Sequence, residues 1–281
     1  MTKKLNPQFF QHYQNWCTCF AIKFTFKIDD NEQSMQNLTQ LCCVEVNDGV
    51  TYWEIDKKDF FINNDLIDNP LYDLSKSCLE LLYPIKFSID SSGFLISILN
   101  YDEIKQRWND EYELLQQKFG GSINTEYMEQ ISESLKTQSA LSNILTNDIF
   151  LSLFFTNVKG QEIKLSLPNY DNHQVFSGIW LLNAKKNELK RHSQIFNGSL
   201  KVAQGYLDSL SGQIKVHYDI DDQKYHIRNI EAAISITESE KKNTFSFSAN
   251  EVFNEETEIK KQTMINNMEK RKSGWGILFN D

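Results

Sequence analysis

The chain has 281 residues, of which 40% are hydrophobic and 24% charged, an ordinary composition for one large globular domain or two of average size. Glycine and proline are scarce, at 11 and 4 residues, which excludes long flexible linkers and low-complexity arrays. The net charge is −9 and the basic residues are mostly dispersed, which argues against nucleic acid or an anionic membrane surface as the main partner.

The N-terminal segment from Met1 to Phe20 contains no apolar core of signal-peptide length. No other stretch approaches the roughly 18 consecutive apolar residues of a membrane span. We therefore expect no membrane insertion and a cytoplasmic location.

The five cysteines agree with that location. Cys17 and Cys19 form a C-x-C pair, Cys42 and Cys43 are adjacent, and Cys78 stands apart. An odd count without framework spacing is not typical of a disulfide scaffold. A zinc site built from the first four is the alternative, but structural zinc usually uses pairs two to four residues apart. We expect buried thiols that pack as small hydrophobes.

The first predicted element is a strand over Phe20–Ile28, where phenylalanine and isoleucine alternate strictly with lysine, threonine and alanine. Two more strand-like runs, Cys43–Val46 and Val50–Ile55, flank Asn47-Asp48-Gly49, a sequence that tolerates the positive φ of a tight hairpin. The same alternation returns at Ile85–Ile89, followed by a turn at Asp90–Gly93.

A helical insert is predicted from Asn100 to Leu145. Apolar residues recur every three or four positions from Ile104 to Phe119, and Asn100 with Glu103 resembles a capping box at the helix start. Gly120-Gly121 predicts the end of this helix, and a second one is expected from about Asn124. Together they form an αα-hairpin whose apolar stripe, including Trp108, is expected to pack in the core.

Period-two alternation resumes after the insert. It predicts a second group of strands, each with one solvent-exposed face. The runs are Ile163–Leu167, Ile214–Ile220 and Phe245–Phe247. The predicted fold is therefore α+β, mainly antiparallel sheet in two meander-like halves, with a central αα-hairpin and a C-terminal helix. The predicted divisions are 1–147, 148–253 and 254–281.

A hairpin around Asp221-Asp222 supplies one candidate metal site. If the turn is this dipeptide, His217 faces His226 and Tyr218 faces Tyr225. The two imidazoles would then lie together on the polar face, as a metal half-site or a pH-sensitive contact. The alternative is a solvent-facing histidine pair with no function.

The C-terminus predicts a partner-binding segment. A helix that opens with acidic residues closes on Lys270, Arg271 and Lys272, in keeping with the helix dipole. An apolar tail follows. Its large residues are Trp275, Ile277, Leu278 and Phe279. We expect this tail to dock in an apolar groove, on another chain or on its own body.

The sequence contains no phosphate-binding glycine loop, dinucleotide fingerprint, zinc-protease motif or nucleophile elbow. We therefore expect no cofactor and lean away from an enzyme. The predicted function is a protein-interaction module, such as an assembly, adaptor or immunity-type component, whose partner is another protein chain in a homo- or hetero-oligomer. The alternative is a carrier that holds an apolar small ligand between sheet and helices.

Overall fold

The computed structural model describes residues 12–62, 70–156, 161–170, 173–183, 191–201, 210–221, 224–238, 241–260 and 262. The strands run as follows: β1 Trp16–Ile28, β2 Asn31–Asn47, β3 Val50–Ile62, β4 Ile85–Ile89, β5 Leu95–Ile98, β6 Glu162–Leu165, β7 Gln174–Asn183, β8 Arg191–Leu200, β9 Leu210–Asp221, β10 Ile227–Glu238 and β11 Lys241–Val252. The helices are α1 Pro70–Leu82, α2 Tyr101–Lys118, α3 Ser122–Ser134, α4 Gln138–Thr146 and α5 Ile149–Phe154, followed by α6 over residues 255–260.

These strands form one antiparallel sheet with the order β5-β4-β3-β2-β1-β11-β10-β9-β8-β7-β6. Each meander keeps its strands in sequence order, and the pairing of β1 with β11 joins the two halves. The predicted α+β class with two antiparallel meanders is confirmed. The hairpin between β2 and β3 turns at Asp48 and Gly49, which both have positive φ, as the sequence indicated.

Alternation along the strands gives the sheet an inner and an outer face. The inner face carries the buried apolar residues of β1, β9, β10 and β11, such as Phe20, Val216 and Phe247, and buried residues of α1 to α5 join them in one core. Lysine, serine, threonine and asparagine alternate with them and form the outer face. The period-two pattern therefore separates the core from the exposed side, as expected.

The helical insert is confirmed, but it contains three helices where two were expected. α3 ends at Ser134, and the side chain of Thr137 then accepts a hydrogen bond from Ala140 N at 3.1 Å to begin α4. The predicted capping box at Asn100 is wrong. Its side chain accepts from Lys86 N at 2.8 Å and donates to Pro84 O at 3.0 Å, so it joins α2 to β4.

α5 fills the space between the sheet and the other helices. Its Phe154 packs against Tyr13, Trp16 and Trp53, with ring centroids 5.7–5.9 Å apart. Asp148 caps the helix by accepting from Leu151 N at 2.9 Å, and its other oxygen pairs with Lys57 of β3. Neither α1 nor α5 was predicted. α5 is too short to show a helical period.

Two glycines allow neighbouring strands to approach closely in the second meander. Gly178 of β7 faces Gly198 of β8 across the sheet. A Cβ on Gly178 would lie 2.0 Å from the backbone oxygen of Asn197, a distance that no side chain can tolerate. A backbone atom cannot move aside as the end of a flexible side chain can, so this position requires glycine.

We predict that Gly178→Ala lowers the free energy of unfolding by about 1–3 kcal/mol, the usual range for overpacking. The matched control is Gly120→Ala, whose Cβ would meet its nearest atom at 3.8 Å, in ordinary contact. Thermal or urea unfolding measures both variants. Equal stability of Gly178→Ala and the wild type would contradict the close approach of β7 and β8.

Candidate functional site

An open cavity of about 970 Å³ lies on the outer face, and we call it the trough. It crosses seven neighbouring strands, from β2 through β1, β11, β10, β9 and β8 to β7. Six strand spacings of about 4.8 Å make it roughly 29 Å long. The close-packed glycines of β7 and β8 lie at one end.

Two cross-strand rows of outer-face side chains line the trough, and each is continuous in the strand register. The first row is Ser177, Ser199, Gln213, Ser235, Thr244, Lys27 and Glu32. The second row is Ile179, Asn197, Lys215, Ala233, Ser246 and Thr25. Hydroxyl and amide groups dominate the first row and make up half of the second, so the trough presents many hydrogen-bond donors and acceptors.

An apolar patch adjoins the β7 end of the trough. Ile179 and Leu181 of β7 are 61% and 47% exposed, and Ile195 of β8 lies opposite Leu181. Exposed isoleucine and leucine side by side on a sheet face are the kind of surface that protein partners cover. The trough and this patch together form the candidate site.

The predicted pairing of His217 with His226 is wrong. β9 ends at Asp221 and β10 begins at Ile227, Tyr225 between them has a φ of +57, and Asp221 N donates to His226 O at 2.9 Å. A bulge between Ile227 and Asn229 shifts the register further, so His217 faces Glu231. The longer turn separates the imidazoles, and the candidate metal half-site loses its geometry.

His226 is buried at 7% exposure, on the inner side of the sheet. Its ring stacks on Tyr13 at 4.6 Å, and its Nε2 lies 2.9 Å from His12 O. Burial lowers the pKa of His226 because the protonated ring would lose hydration. Burial also raises the pKa of Tyr13, whose hydroxyl accepts a hydrogen bond from Ile227 N at 2.9 Å. These contacts hold His12 and Tyr13 against the start of β10.

An ion-pair network lies beside His226. Arg228 pairs with Glu251 of β11 and, at 3.3 Å, with Asp221, while Thr18 of β1 donates to Glu251 at 2.7 Å. The network joins β1, β9, β10 and β11 at one end of the sheet. Each charge has an opposite partner, which fits a structural role.

The cysteines divide into a bonded pair and three thiols. Cys17 faces Cys42 across β1 and β2, and their sulfur atoms form a disulfide. The expectation of five thiols is therefore wrong for this pair, because sequence spacing carries no information on strand register. Cys19, Cys43 and Cys78 are buried thiols as expected. Burial raises the pKa of Cys19 to about 11 and that of Cys43 to about 12, which suppresses thiolate chemistry.

Within the described parts of the chain, no three histidine, cysteine, aspartate or glutamate side chains cluster so as to hold a metal ion. Over those same parts, no helix is both long enough and apolar enough to cross a membrane.

α6 lies on the outer face over β2 and β3 and is held there by polar contacts. Thr257, 2% exposed, accepts a hydrogen bond from Gln40 at 2.7 Å. Lys260 donates to Gln40 at 3.0 Å and pairs with Glu54, while Glu256 pairs with Lys58 at 2.9 Å. The start of the C-terminal helix is thus fixed to its own sheet.

The predicted partner-binding residues lie outside the described residues. They are Lys270, Arg271, Lys272, Trp275, Ile277, Leu278 and Phe279. The candidate site that the structure adds was missed because its residues are ordinary serines, threonines and lysines. The polar alternation along β9 and β11 was visible in the sequence. Only the register between strands, however, places these residues in continuous rows.

No protein-family model matches this chain, and no curated protein matches it. A solved structure described as "Asymmetric conductivity of engineered proteins" aligns with 84% of this chain and 100% of its own, at 8% identity and a TM-score of 0.21. A TM-score of this size carries no argument about fold or function.

We predict that His226 makes the stability depend on pH below neutrality. Its folded pKa is lowered, so the unfolded chain binds a proton more readily. Its contribution is therefore complete above the ordinary histidine pKa, about 6.5, and is lost as the pH falls below that value. His226→Gln should lose less stability than the wild type between pH 7.5 and pH 5, approximately the range over which a histidine titrates.

Thermal unfolding at the two pH values checks this prediction, with His217→Gln as the control. The His217 side chain is 31% exposed and lies outside the Tyr13 stack, so a change of pH dependence found in His226→Gln but not in His217→Gln assigns the effect to the buried ring. An unchanged pH dependence in His226→Gln would show that burial of this ring does not govern acid sensitivity.

Proposed function

We propose that this protein is a non-enzymatic protein-interaction module, of the assembly, adaptor or immunity type, and that the trough with its apolar patch is a binding surface. The observation that carries the proposal is the open trough of about 970 Å³, which runs into the exposed side chains of Ile179 and Leu181. Sheet faces with exposed apolar groups beside hydrogen-bonding groups resemble the core and rim of protein interfaces.

The packing of the inner face gives no support to the alternative of an apolar-ligand carrier. Such a carrier needs a cavity between sheet and helices. In the described residues that space holds closely packed rings. Trp53 and Phe155 lie 4.9 Å apart, as do Tyr13 and Trp16.

The C-terminal tail is a second binding element in this proposal. Trp275, Ile277, Leu278 and Phe279 offer a large apolar area, each worth about 1.5–3 kcal/mol when fully buried. The contacts of α6 with Gln40 and Glu54 hold residues that precede this segment in the sequence. A cytoplasmic location is also part of the proposal. The Cys17–Cys42 disulfide does not itself favour this location, because disulfides are rare in reducing compartments.

Ile179→Asp tests the trough as a binding surface. We expect the variant to lose a partner that co-purifies with the wild type, because a carboxylate in the apolar patch would have to be desolvated on binding. Leu114→Asp on α2 is the matched control, since Leu114 is 56% exposed and lies away from the trough. Quantitative mass spectrometry of the purified complexes measures the recovery of the partner. Equal recovery with the wild type, Ile179→Asp and Leu114→Asp would show that the trough does not take part in the interaction.

Deletion of residues 273–281 tests the tail. We expect loss of the partner with an unchanged melting temperature, because α6 keeps its contacts through residues 254–260. Asn280→Ala is a control that alters the tail without removing an apolar side chain. A marked fall in the melting temperature of the isolated protein would instead show that the tail completes this chain's own fold.

A further inference from the structure

The apolar patch has a spacing that suits an extended chain. Ile179 and Leu181 are exposed two positions apart on β7, and Ile195 of β8 lies opposite Leu181. Side chains at alternate positions of a strand point to the same face, about 6.6–7 Å apart. An extended segment with large apolar side chains at alternate positions can therefore place one of them beside Ile179 and the next beside Leu181.

Residues 275–279 of the chain have this pattern. Trp275, Ile277 and Phe279 occupy alternate positions, with a glycine and Leu278 between them. In an extended conformation the three large side chains share one face, and Leu278 lies on the other. The segment can therefore cover the apolar patch with one apolar face, as buried interface cores require.

The patch of the same molecule is too far from this segment when the predicted C-terminal helix is complete. α6 is fixed over β2, where Lys260 donates to Gln40 at 3.0 Å. From β2 to β7 the strand order counts six spacings, roughly 29 Å. Beyond residue 262, a helix that closes at Lys272 adds about 15 Å and residues 273–275 add about 10 Å in extended form. This reach of about 25 Å is too short even for a straight path towards β7.

The exposed apolar residues closer to α6 lack the spacing of the patch. Phe94 and Leu99 lie outside β5, one at each end, and Ile96 lies at a register shift between β4 and β5. These three residues therefore offer no continuous strand face with apolar side chains at alternate positions. The patch on β7 and β8 matches residues 275–279 better.

We infer that residues 275–279 of one copy bind, in extended conformation, to the apolar patch of a second copy of this chain. This inference rests on the proposed function and names the partner of its binding surface. Trp275, Ile277 and Phe279 face β7 and β8 of the second copy. Reciprocal exchange of the segment about a twofold axis satisfies both contacts and closes the assembly as a dimer.

The mass of the full chain in solution tests the assembly, by light scattering during size-exclusion chromatography over a range of concentrations. The wild type should have twice the monomer mass. The chain without residues 273–281 and the Ile179→Asp variant should each be monomeric, because one lacks the segment and the other has a blocked patch. An equimolar mixture of the two should form pairs, since one intact segment can still meet one intact patch. A monomeric wild type, or a mixture that stays monomeric, would overturn the inference.

Fluorescence anisotropy with a labelled peptide of residues 270–281 locates the contact. The receptor is the chain without residues 273–281, whose patch is free. The peptide should bind, and Ile179→Asp in the receptor should weaken binding roughly tenfold, because its carboxylate would have to be desolvated. Leu114→Asp on α2 is the matched control and should leave binding unchanged. Equal binding by the two substituted receptors would place the segment elsewhere and overturn the inference.

Two variants of the peptide test its extended conformation. Ile277→Asp should weaken binding roughly tenfold, because this side chain faces the patch. Leu278→Asp should have a smaller effect, because the neighbouring side chain of an extended chain faces away. Equal losses for the two peptides would overturn the extended contact on which the inference depends.

These outcomes are separable from those of the proposed function. If the wild type is monomeric and the peptide does not bind, but Ile179→Asp still loses a co-purified protein of another kind, the interaction surface stands and the second copy fails as its partner. If the mixed variants pair and Ile179→Asp retains every other co-purified protein, the second copy stands as the partner of the patch and no different protein binds there.

Discussion

The pairing of β1 with β11 is the constraint on which the rest of the structure depends. It joins strands from the two ends of the described chain over the register from Cys19–Val252 to Lys27–Thr244. Without it, each meander would have an additional open edge, and the phenylalanines of β1 and β11 would have no common layer. The stacking of Phe24 on Phe245 at 6.4 Å is a direct product of this register. These contacts join positions near the two ends of the described chain, so the pairing is strongly non-local.

α5 occupies the interior that this pairing creates. It is only six residues long, too short to be stable alone, so its position depends on its cap and on packing. Asp148 serves both purposes, because one oxygen caps the helix and the other meets Lys57. Desolvation alone would lower the pKa of Lys57, but Asp148 reverses the shift and raises it, so the buried lysine stays charged beside its partner. The ion pair thereby fixes the aromatic residues of α5 over the sheet.

The fold class and most of the first meander could be predicted from the sequence, because residues such as Phe20–Ile28 alternate strictly between one buried and one wet face. β7 could not be predicted in the same way. Ile179 and Leu181 are apolar on the outer face while Phe176 and Trp180 face inward, so no polar alternation marks the strand. Ile179 and Leu181, which interrupt the polar alternation of β7, form the apolar patch of the candidate site. The His217–His226 pairing failed for another reason, because β10 begins only at Ile227 and a bulge between Ile227 and Asn229 changes the register.

The outer face shows why a binding surface can be invisible in a sequence and still be well defined in space. Each lining residue, such as Ser235 or Thr244, is what any solvent-facing strand position would carry. Their arrangement arises from two features that only the fold provides: the register that aligns them and the glycines that bring β7 close to β8. α6 covers the outer face over β2 and β3 through Gln40 and Glu54, so the sheet is divided into a part occupied by its own chain and a part that is open. The open, hydrogen-bonding trough beside the exposed side chains of Ile179 and Leu181 is the feature on which the proposed interaction function depends.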